Sequence, residues 1–365
     1  MQAALALAQR GLGRTSDNPS VGCIIVRDGR VLGRGVTGLG GRPHAEPQAL
    51  AQARTRFGED APRGATAYVT LEPCAHFGKT PPCADALVEA GVARIVAPFS
   101  DPDPRVSGKG FARLSAAGIE VKLGIEKERA GALLNGYFHR RAAFLPSVTL
   151  KLASTLDGRI ATASGESQWI TSPLARRYAH MLRAQSDAIL VGSGTALTDD
   201  PRLDVRIAGL ETRSPVRIVA DRRLRLTASA RILDDAPRNP VWVFGERSSN
   251  PERAEELEQS GAVLVDAPPG SNVSSMLTAF AERGIGTLFC EGGGGMAAAL
   301  LREGCVDRLI IVYAGLTIGQ EGLAGIGPLA LERLGDAPKF EFSEARRLGV
   351  DLLTIWHPAE KGGAA

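Results

Sequence analysis

Aromatic residues are scarce in this 365-residue chain, at 5%, too few to build a platform on which nucleic-acid bases stack. Charge of one sign is missing too. The net charge is +3, and the basic residues are scattered, with only short pairs such as Arg140-Arg141 and Arg222-Arg223. That is a solvated surface and not a stripe that follows a phosphate backbone. No apolar run approaches the roughly 20 residues needed to span a bilayer. The opening Met1-Gln2-Ala3-Ala4-Leu5-Ala6-Leu7-Ala8 is apolar enough to suggest a signal sequence. It has no basic stretch before it, however, and Arg10 follows at once, so it reads as a helix. Cysteine is scarce and odd in number, five in all, and its spacing is not that of a secreted disulfide framework. Free thiols fit a reducing compartment, and the expected location is cytoplasmic. Nucleic-acid and membrane partners are therefore not expected.

Apolar residues make up 44% and charged residues 23%, ordinary for a globular protein. The length exceeds one typical core and implies two domains; we place them at 1–145 and 146–365. In the first, 2–10 reads as a helix, and 22–26 and 31–36 as strands around Asp28-Gly29, a hairpin signal. His44 opens a helix to about Phe57. A strand at 67–71 leads through a loop to a helix at 83–90 ended by Gly91. Strands at 93–97 and 119–123 flank a helix near 111–117. This predicts a mixed three-layer α/β domain, followed by a basic, proline-terminated crossing over 137–146. Beyond it, strands are expected at 148–152, 188–191, 216–220, 241–244, 262–265, 287–290 and 308–314, with helices between, for example 173–184. Such alternation implies a largely parallel sheet covered on both faces. Residues 359–365 read as a frayed tail, and there is no internal repeat.

The chemistry concentrates in His44-Ala45-Glu46, then Pro73-Cys74 and Cys83. One imidazole and two thiolates make a three-ligand Zn²⁺ set that leaves a fourth tetrahedral position for water. A carboxylate two residues from the histidine is placed to move a proton. H-x-E followed by P-C-x₂-C is the signature of hydrolytic zinc deaminases; here the second part is P-C-x₈-C. Cys74 and Cys83 stand in Pro/Gly-rich turns, where packing gives little reason for a thiol. Cys23, Cys290 and Cys305 read as small buried apolar residues. A purely structural zinc, closed by a fourth ligand such as His76, is the alternative. Helix starts at His44 and Cys83 oppose a cation electrostatically, which thiolate ligands offset. In the second half, Gly192-Ser193-Gly194-Thr195 and Gly292-Gly293-Gly294-Gly295 follow strands. The latter is the better phosphate cradle, because it opens a helix. Neither completes a dinucleotide fingerprint.

The first segment resembles the bifunctional riboflavin-biosynthesis enzymes, in which a pyrimidine deaminase is fused to a reductase. The matching stretches are Thr15 through Gly22, Gly41-Arg42-Pro43-His44-Ala45-Glu46, Glu72 through Cys83 with its wide cysteine spacing, and Asp101-Pro102-Asp103-Pro104-Arg105-Val106-Ser107-Gly108-Lys109-Gly110. One departure is Thr37, where the family often has histidine. The likeness continues through Lys151-Leu152-Ala153-Ser154-Thr155-Leu156-Asp157-Gly158, Gly165-Glu166-Ser167-Gln168-Trp169-Ile170, Leu182-Arg183-Ala184, Thr198-Asp199-Asp200-Pro201-Arg202-Leu203 and Glu291-Gly292-Gly293, and covers nearly the whole chain. It implies a cytidine-deaminase-like domain followed by a dihydrofolate-reductase-like domain that uses NADPH.

By that resemblance Glu46 is catalytic, and Asn18, His76 and Lys79 contact the deaminase substrate. Lys151, Ser167, Arg183, Leu203, Arg206 and Glu291 line the reductase substrate pocket. Ala153, Trp169, Thr195, Asp199, Thr227, Gly293, Gly294 and Gly295 face the nucleotide. Arg183 and Arg206 suit a substrate phosphate through two-pronged donors. The implied substrate is a phosphoribosylamino pyrimidine, and the implied assembly is a homo-oligomer. Two other readings stay open at this level: a nucleoside or tRNA deaminase with an unrelated appended domain, and a non-catalytic zinc module with a nucleotide-sensing domain.

Overall fold

A computed structural model of the chain describes residues 1–359 except 17, 79, 104 and 105. It divides into two compact units, Met1–Phe144 and Leu145–Ala365. Of the tail expected at 359–365, all but Ala359 lies outside the described residues, as does Lys79.

The first unit runs α1 (Gln2–Gly11), β1 (Gly22–Arg27), β2 (Arg30–Val36), α2 (Ala45–Phe57), β3 (Thr66–Val69), α3 (Cys83–Glu89), β4 (Arg94–Val96), α4 (Lys109–Ala116), β5 (Glu120–Lys122) and α5 (Lys127–Ala143). Its five strands lie in the order β2-β1-β3-β4-β5. The hairpin expected at Asp28-Gly29 forms, with φ of 51° and 73°. Cys23 pairs with Gly35 and Ile25 with Gly33, so these four share one face. A Cβ at Gly33 or Gly35 would strike the backbone oxygens of Ala49 and Ala45; bare glycine lets α2 sit down on this face. Gly22, on the other face, meets α1 at Ala4 in the same way. Helices on both faces give the three layers.

The crossing expected over 137–146 is instead helical through Ala143. Ala130 and Leu134 are buried, and Leu133, Tyr137 and Phe138 pack on the core, an apolar stripe at helical spacing. Charge density hid that stripe, because Arg140 and Arg141 follow directly on its last members.

The second unit contains β6 (Ser147–Thr155), β7 (Arg159–Ala161), α6 (Pro173–Ala184), β8 (Ala188–Gly192), α7 (Ser193–Asp199), β9 (Val216–Ala220), β10 (Val241–Gly245), α8 (Pro251–Gln259), β11 (Ala262–Asp266), α9 (Val273–Glu282), β12 (Thr287–Cys290), α10 (Gly294–Arg302), β13 (Arg308–Ala314), β14 (Leu323–Ala324), β15 (Phe340–Leu348) and β16 (Asp351–Pro358). Nine strands form one sheet, β11-β10-β9-β8-β12-β6-β13-β16-β15. Alternate residues feed two cores. Ile189, Val191, Val219, Val243 and Phe289 pack with Ala175 and Leu182 of α6 and Ala254 and Leu257 of α8. Leu190, Ile218, Leu288 and Leu150 pack with α9 and α10. The sheet is parallel from β11 to β13, but β16 runs antiparallel to both β13 and β15. The expected, largely parallel sheet covered on both faces thus holds over seven strands, and this hairpin adds an antiparallel edge. Its outer strand is exposed over seven of its nine residues, so it carries no apolar alternation to read. Cys23 and Cys290 are buried as expected, whereas Cys305 is only half-buried.

Candidate functional site

Three side chains that are 30 and 9 residues apart in sequence meet at one point. His44 is the N-cap of α2, its backbone extended at φ −67° and ψ 165°, so the imidazole stands just outside the helix start. Cys74 lies in the loop after β3, and Cys83 is the first residue of α3. His44 Nδ1 is 3.3 Å from Cys83 Sγ and 3.7 Å from Cys74 Sγ, and the three donor atoms all lie within 4.8 Å of one another. Tetrahedral bonds of about 2.1 Å to nitrogen and 2.3 Å to sulfur would put such donors about 3.6 Å apart. The donor set therefore fits zinc in chemistry and in spacing. The Cys83 thiol and the Cys83 backbone N–H donate to Cys74 and, against the effect of burial, hold its thiol down at about 4. The same sharing, with burial, pushes Cys83 up. A dication at this point would hold both as thiolates.

Glu46 is 3% exposed, one helical step inside α2. Burial first, and then the charge on Cys74, push its carboxyl up to about 7, in the range where a group both takes and returns protons near neutrality. His44, Glu46 and Cys74 line one cleft together with Asn18, Thr37, Arg42, Glu72, His76, Asp101, Asp103, Tyr137 and Arg141. His76 is not one of the three clustered metal donors among the described residues. It lines the cleft, and its Nδ1 is buried without a hydrogen-bond partner. A structural site closed by His76 is thus not what the geometry shows. At Thr37, the departure from the family pattern, the hydroxyl accepts the Val21 N–H at 2.8 Å and donates to the Pro19 carbonyl at 3.1 Å. It ties down the segment that carries Asn18.

Sequence reasoning assigned no role to Glu72, Asp101 or Asp103, although all three stand in quoted motifs. Glu72, 4% exposed, accepts the N–H groups of Asp101 at 3.0 Å and Gly108 at 2.9 Å on one oxygen, and of Gly110 at 2.8 Å and Phe111 at 3.2 Å on the other. It caps the start of α4 and pins the loop that brings Asp101 and Asp103 to the cleft. Tyr137 and Arg141 were hidden with the rest of α5.

In the second unit, Lys151 of β6, Arg183 of α6 and Glu291 after β12 converge. Arg183 Nε donates to Glu291 at 2.6 Å, and Lys151 Nζ lies 3.8 Å from its other oxygen. Burial pushes Glu291 up, but Arg183 and Lys151 outweigh it and hold the carboxyl at about 2. Arg183 also donates to the Asp204 carbonyl at 2.9 Å, so two arms of its fork are engaged inside the protein. A two-pronged grip on phosphate would draw on the N–H groups that these bonds leave. Arg206 is exposed and paired with Asp204, and its backbone N–H donates to His180 at 3.2 Å. His180, absent from the sequence reading, is buried, and burial with the charges of Arg183 and Arg206 lowers it to about 4. Leu203 is buried beside this segment with φ 56°.

Thr195 and the glycine turn also meet: the Gly293 N–H donates to Thr195 Oγ1 at 3.0 Å. Gly293 is the N-cap of α10, whose start has no side-chain cap, and a Cβ at Gly295 would meet nothing within 4 Å. A bare, uncapped helix start fits the phosphates of a dinucleotide. Ala153 shares a strand face with Lys151, two residues on. Asp199 ends α7 and is exposed. Trp169 is exposed with the Arg176 guanidinium 4.4 Å over its ring, Thr227 pairs with Ser229 on an exposed turn, and Ser167 is half-buried. Among the described residues, no hydrogen bond or ion pair joins these last three to either cluster.

Residues 1–98 match the model for the cytidine and deoxycytidylate deaminase zinc-binding region, and residues 146–354 match the RibD C-terminal domain. The riboflavin biosynthesis protein RibD of Escherichia coli is 43% identical over 364 residues, with 96% of each chain covered. That of Aquifex aeolicus is 41% identical, with 98% of this chain and 97% of the relative covered. The chain belongs to the RibD family of riboflavin biosynthesis proteins. It is accordingly an enzyme with deaminase and reductase activities in that biosynthesis, and its cofactors are Zn²⁺ and NADPH. Solved structures of the family agree in fold. A diaminohydroxyphosphoribosylaminopyrimidine deaminase/5-amino-6-(5-phosphoribosylamino)uracil reductase from Thermotoga maritima superposes with a TM-score of 0.87 at 35% identity, covering 98% of this chain and 97% of that one. A RibD structure from Acinetobacter baumannii has a TM-score of 0.86 at 38% identity, with 98% of each chain covered. No helix is long and apolar enough to cross a membrane among the described residues.

Proposed function

We propose that the first unit, residues 1–145, removes the 2-amino group of 2,5-diamino-6-(5-phosphoribosylamino)pyrimidin-4-one, the diaminopyrimidine ribotide, and that the second, 146–365, reduces the ribosyl group of the resulting uracil to ribityl. The observation that carries the first half is the convergence of His44, Cys74 and Cys83 with a buried Glu46 in one cleft. His44, Cys74 and Cys83 hold zinc, which when bound supplies Lewis acidity toward water. Glu46 takes the water proton and returns it to the departing amine, so that water is consumed and ammonia leaves. Asn18 and His76 orient the substrate from the cleft wall, with Lys79 assigned the same role by the family motif.

In the second unit, Lys151, Ser167, Arg183, Leu203, Arg206 and Glu291 receive the deaminated ribotide. Glu291 sets the orientation of both Lys151 and Arg183. Thr195 and the glycine turn at 293–295 hold the nucleotide phosphates, with Ala153, Trp169, Asp199 and Thr227 along the rest of the nucleotide; bound NADPH supplies the hydride. A cytoplasmic homo-oligomer belongs to the same proposal, and the exposed outer strand β15 supports it, since a long unpaired edge is a template for a second copy. Incubation with the diaminopyrimidine ribotide tests the reading. Ammonia should appear without NADPH, and NADPH absorbance should fall only after deamination. NADPH oxidation with no ammonia release would overturn the order of the two steps.

A further inference from the structure

The face of α5 that touches the first cleft is used by none of the roles above. Asp101 and Asp103 are 6% and 3% exposed, yet both line the cleft. The Asp101 backbone is held by Glu72, and its Oδ1 accepts the Asp103 N–H at 2.9 Å. From α5, the Tyr137 hydroxyl donates to the same Oδ1 at 2.9 Å and lies 3.3 Å from Oδ2. One helical turn on, Arg141 approaches Asp103 at 3.6 Å and lies 5.3 Å from the Tyr137 ring centre. Carboxylates buried this deeply are costly unless donors fix them. Asp101 keeps further acceptor sites beyond the bonds it makes.

We propose that Tyr137 is a positioning residue of the deaminase site: it clamps the Asp101 carboxylate so that Asp101 receives an O–H or N–H donor of the substrate. The group recognised must be a donor, because a carboxylate only accepts, and two acidic side chains repel phosphate. Arg141 braces the clamp by holding Asp103 and covering the tyrosine ring. The inference rests on the reading of this cleft as the deaminase site.

The test is a double-mutant cycle in the full chain, read as ammonia release from the diaminopyrimidine ribotide. Tyr137→Phe removes only the hydroxyl and leaves the ring on the core. We expect kcat/KM to fall about ten-fold, the worth of one hydrogen bond to a charged group, mainly through KM, with zinc per chain unchanged. Asp101→Asn should lose more. Adding Tyr137→Phe to Asp101→Asn should then cost nothing further, since coupled residues are non-additive. Unchanged kinetics in Tyr137→Phe, losses that multiply in the double variant, or loss of zinc or cooperative folding in Tyr137→Phe would each overturn the proposal. Absence of ammonia release from the wild-type chain would instead overturn the reading of the cleft.

Discussion

Replacing Glu72 with glutamine should destabilise the deaminase end of the molecule selectively. Its two carboxylate oxygens accept four backbone N–H groups, from Asp101, Gly108, Gly110 and Phe111, at 2.8–3.2 Å. Glutamine keeps one oxygen and so two of these bonds. Its amide N–H₂ then faces the other two donors, which are left without an acceptor. Each hydrogen bond to a charged group is worth about 1.5–3 kcal/mol, and at 4% exposure water does not replace it. Two lost bonds give roughly 3–6 kcal/mol; outward relaxation of the Asp101 and Gly108 backbone recovers part, so the lower half of that range is expected. In a calorimetric scan one transition should fall by roughly 10 °C, while the transition that NADPH raises stays in place. Ammonia release should drop, because the loop carries Asp101 and Asp103. A change below about 1 kcal/mol would mean that the four short contacts carry no net weight, and would refute the reasoning.

Three further outcomes are expected. Cys83→Ser should lose most of the zinc on metal analysis, since one thiolate of three is gone; full stoichiometry would remove Cys83 from the ligand set. Arg183→Lys should raise KM for the deaminated ribotide at least about ten-fold while leaving NADPH titration almost unchanged, because one ammonium cannot keep both the Glu291 and the Asp204 bonds; a collapse in NADPH affinity would place Arg183 on the nucleotide side. Glu291, held at about 2, has a folded-state pKa below its ordinary value of about 4.3, so its contribution to stability is fully present above that value and is lost as pH falls toward 2. Glu291→Gln should therefore destabilise the second unit by roughly 3 kcal/mol at pH 7, by leaving two buried cations unpaired, and by much less near pH 2; an equal loss at both pH values in chemical denaturation would contradict this.

The cluster of His44, Cys74 and Cys83 with Glu46 beside it was legible in the sequence because it uses residue types that packing does not explain, with His44, Glu46 and Cys83 at two helix starts. The parallel strands of the second unit were legible because each is a short apolar run between turns. What escaped has a physical reason in each case. The stripe of α5 runs out into arginines at the C-terminal end of the helix. The outer strand β15 is wet, so nothing in its pattern reports a sheet. Glu72 and Tyr137 act through backbone and carboxylate partners about 30 to 40 residues away, which only the fold brings near. His180 and Asp204 likewise meet their partners Arg206 and Arg183 only through the fold, at 21 to 26 residues' separation. That Arg183 is bonded to Glu291 escaped because the two lie 108 residues apart.

The measurement that bears most directly on the division of labour is Glu46→Gln, followed through three readouts on one preparation. The amide conserves shape but cannot carry a proton. Zinc per chain should be retained, ammonia release should fall by roughly 10²–10⁴-fold, and NADPH-dependent reduction of supplied deaminated ribotide should proceed at the wild-type rate. Near-normal ammonia release would take the proton-transfer role away from Glu46, and loss of the reductase activity alongside would contradict the separation of the two sites.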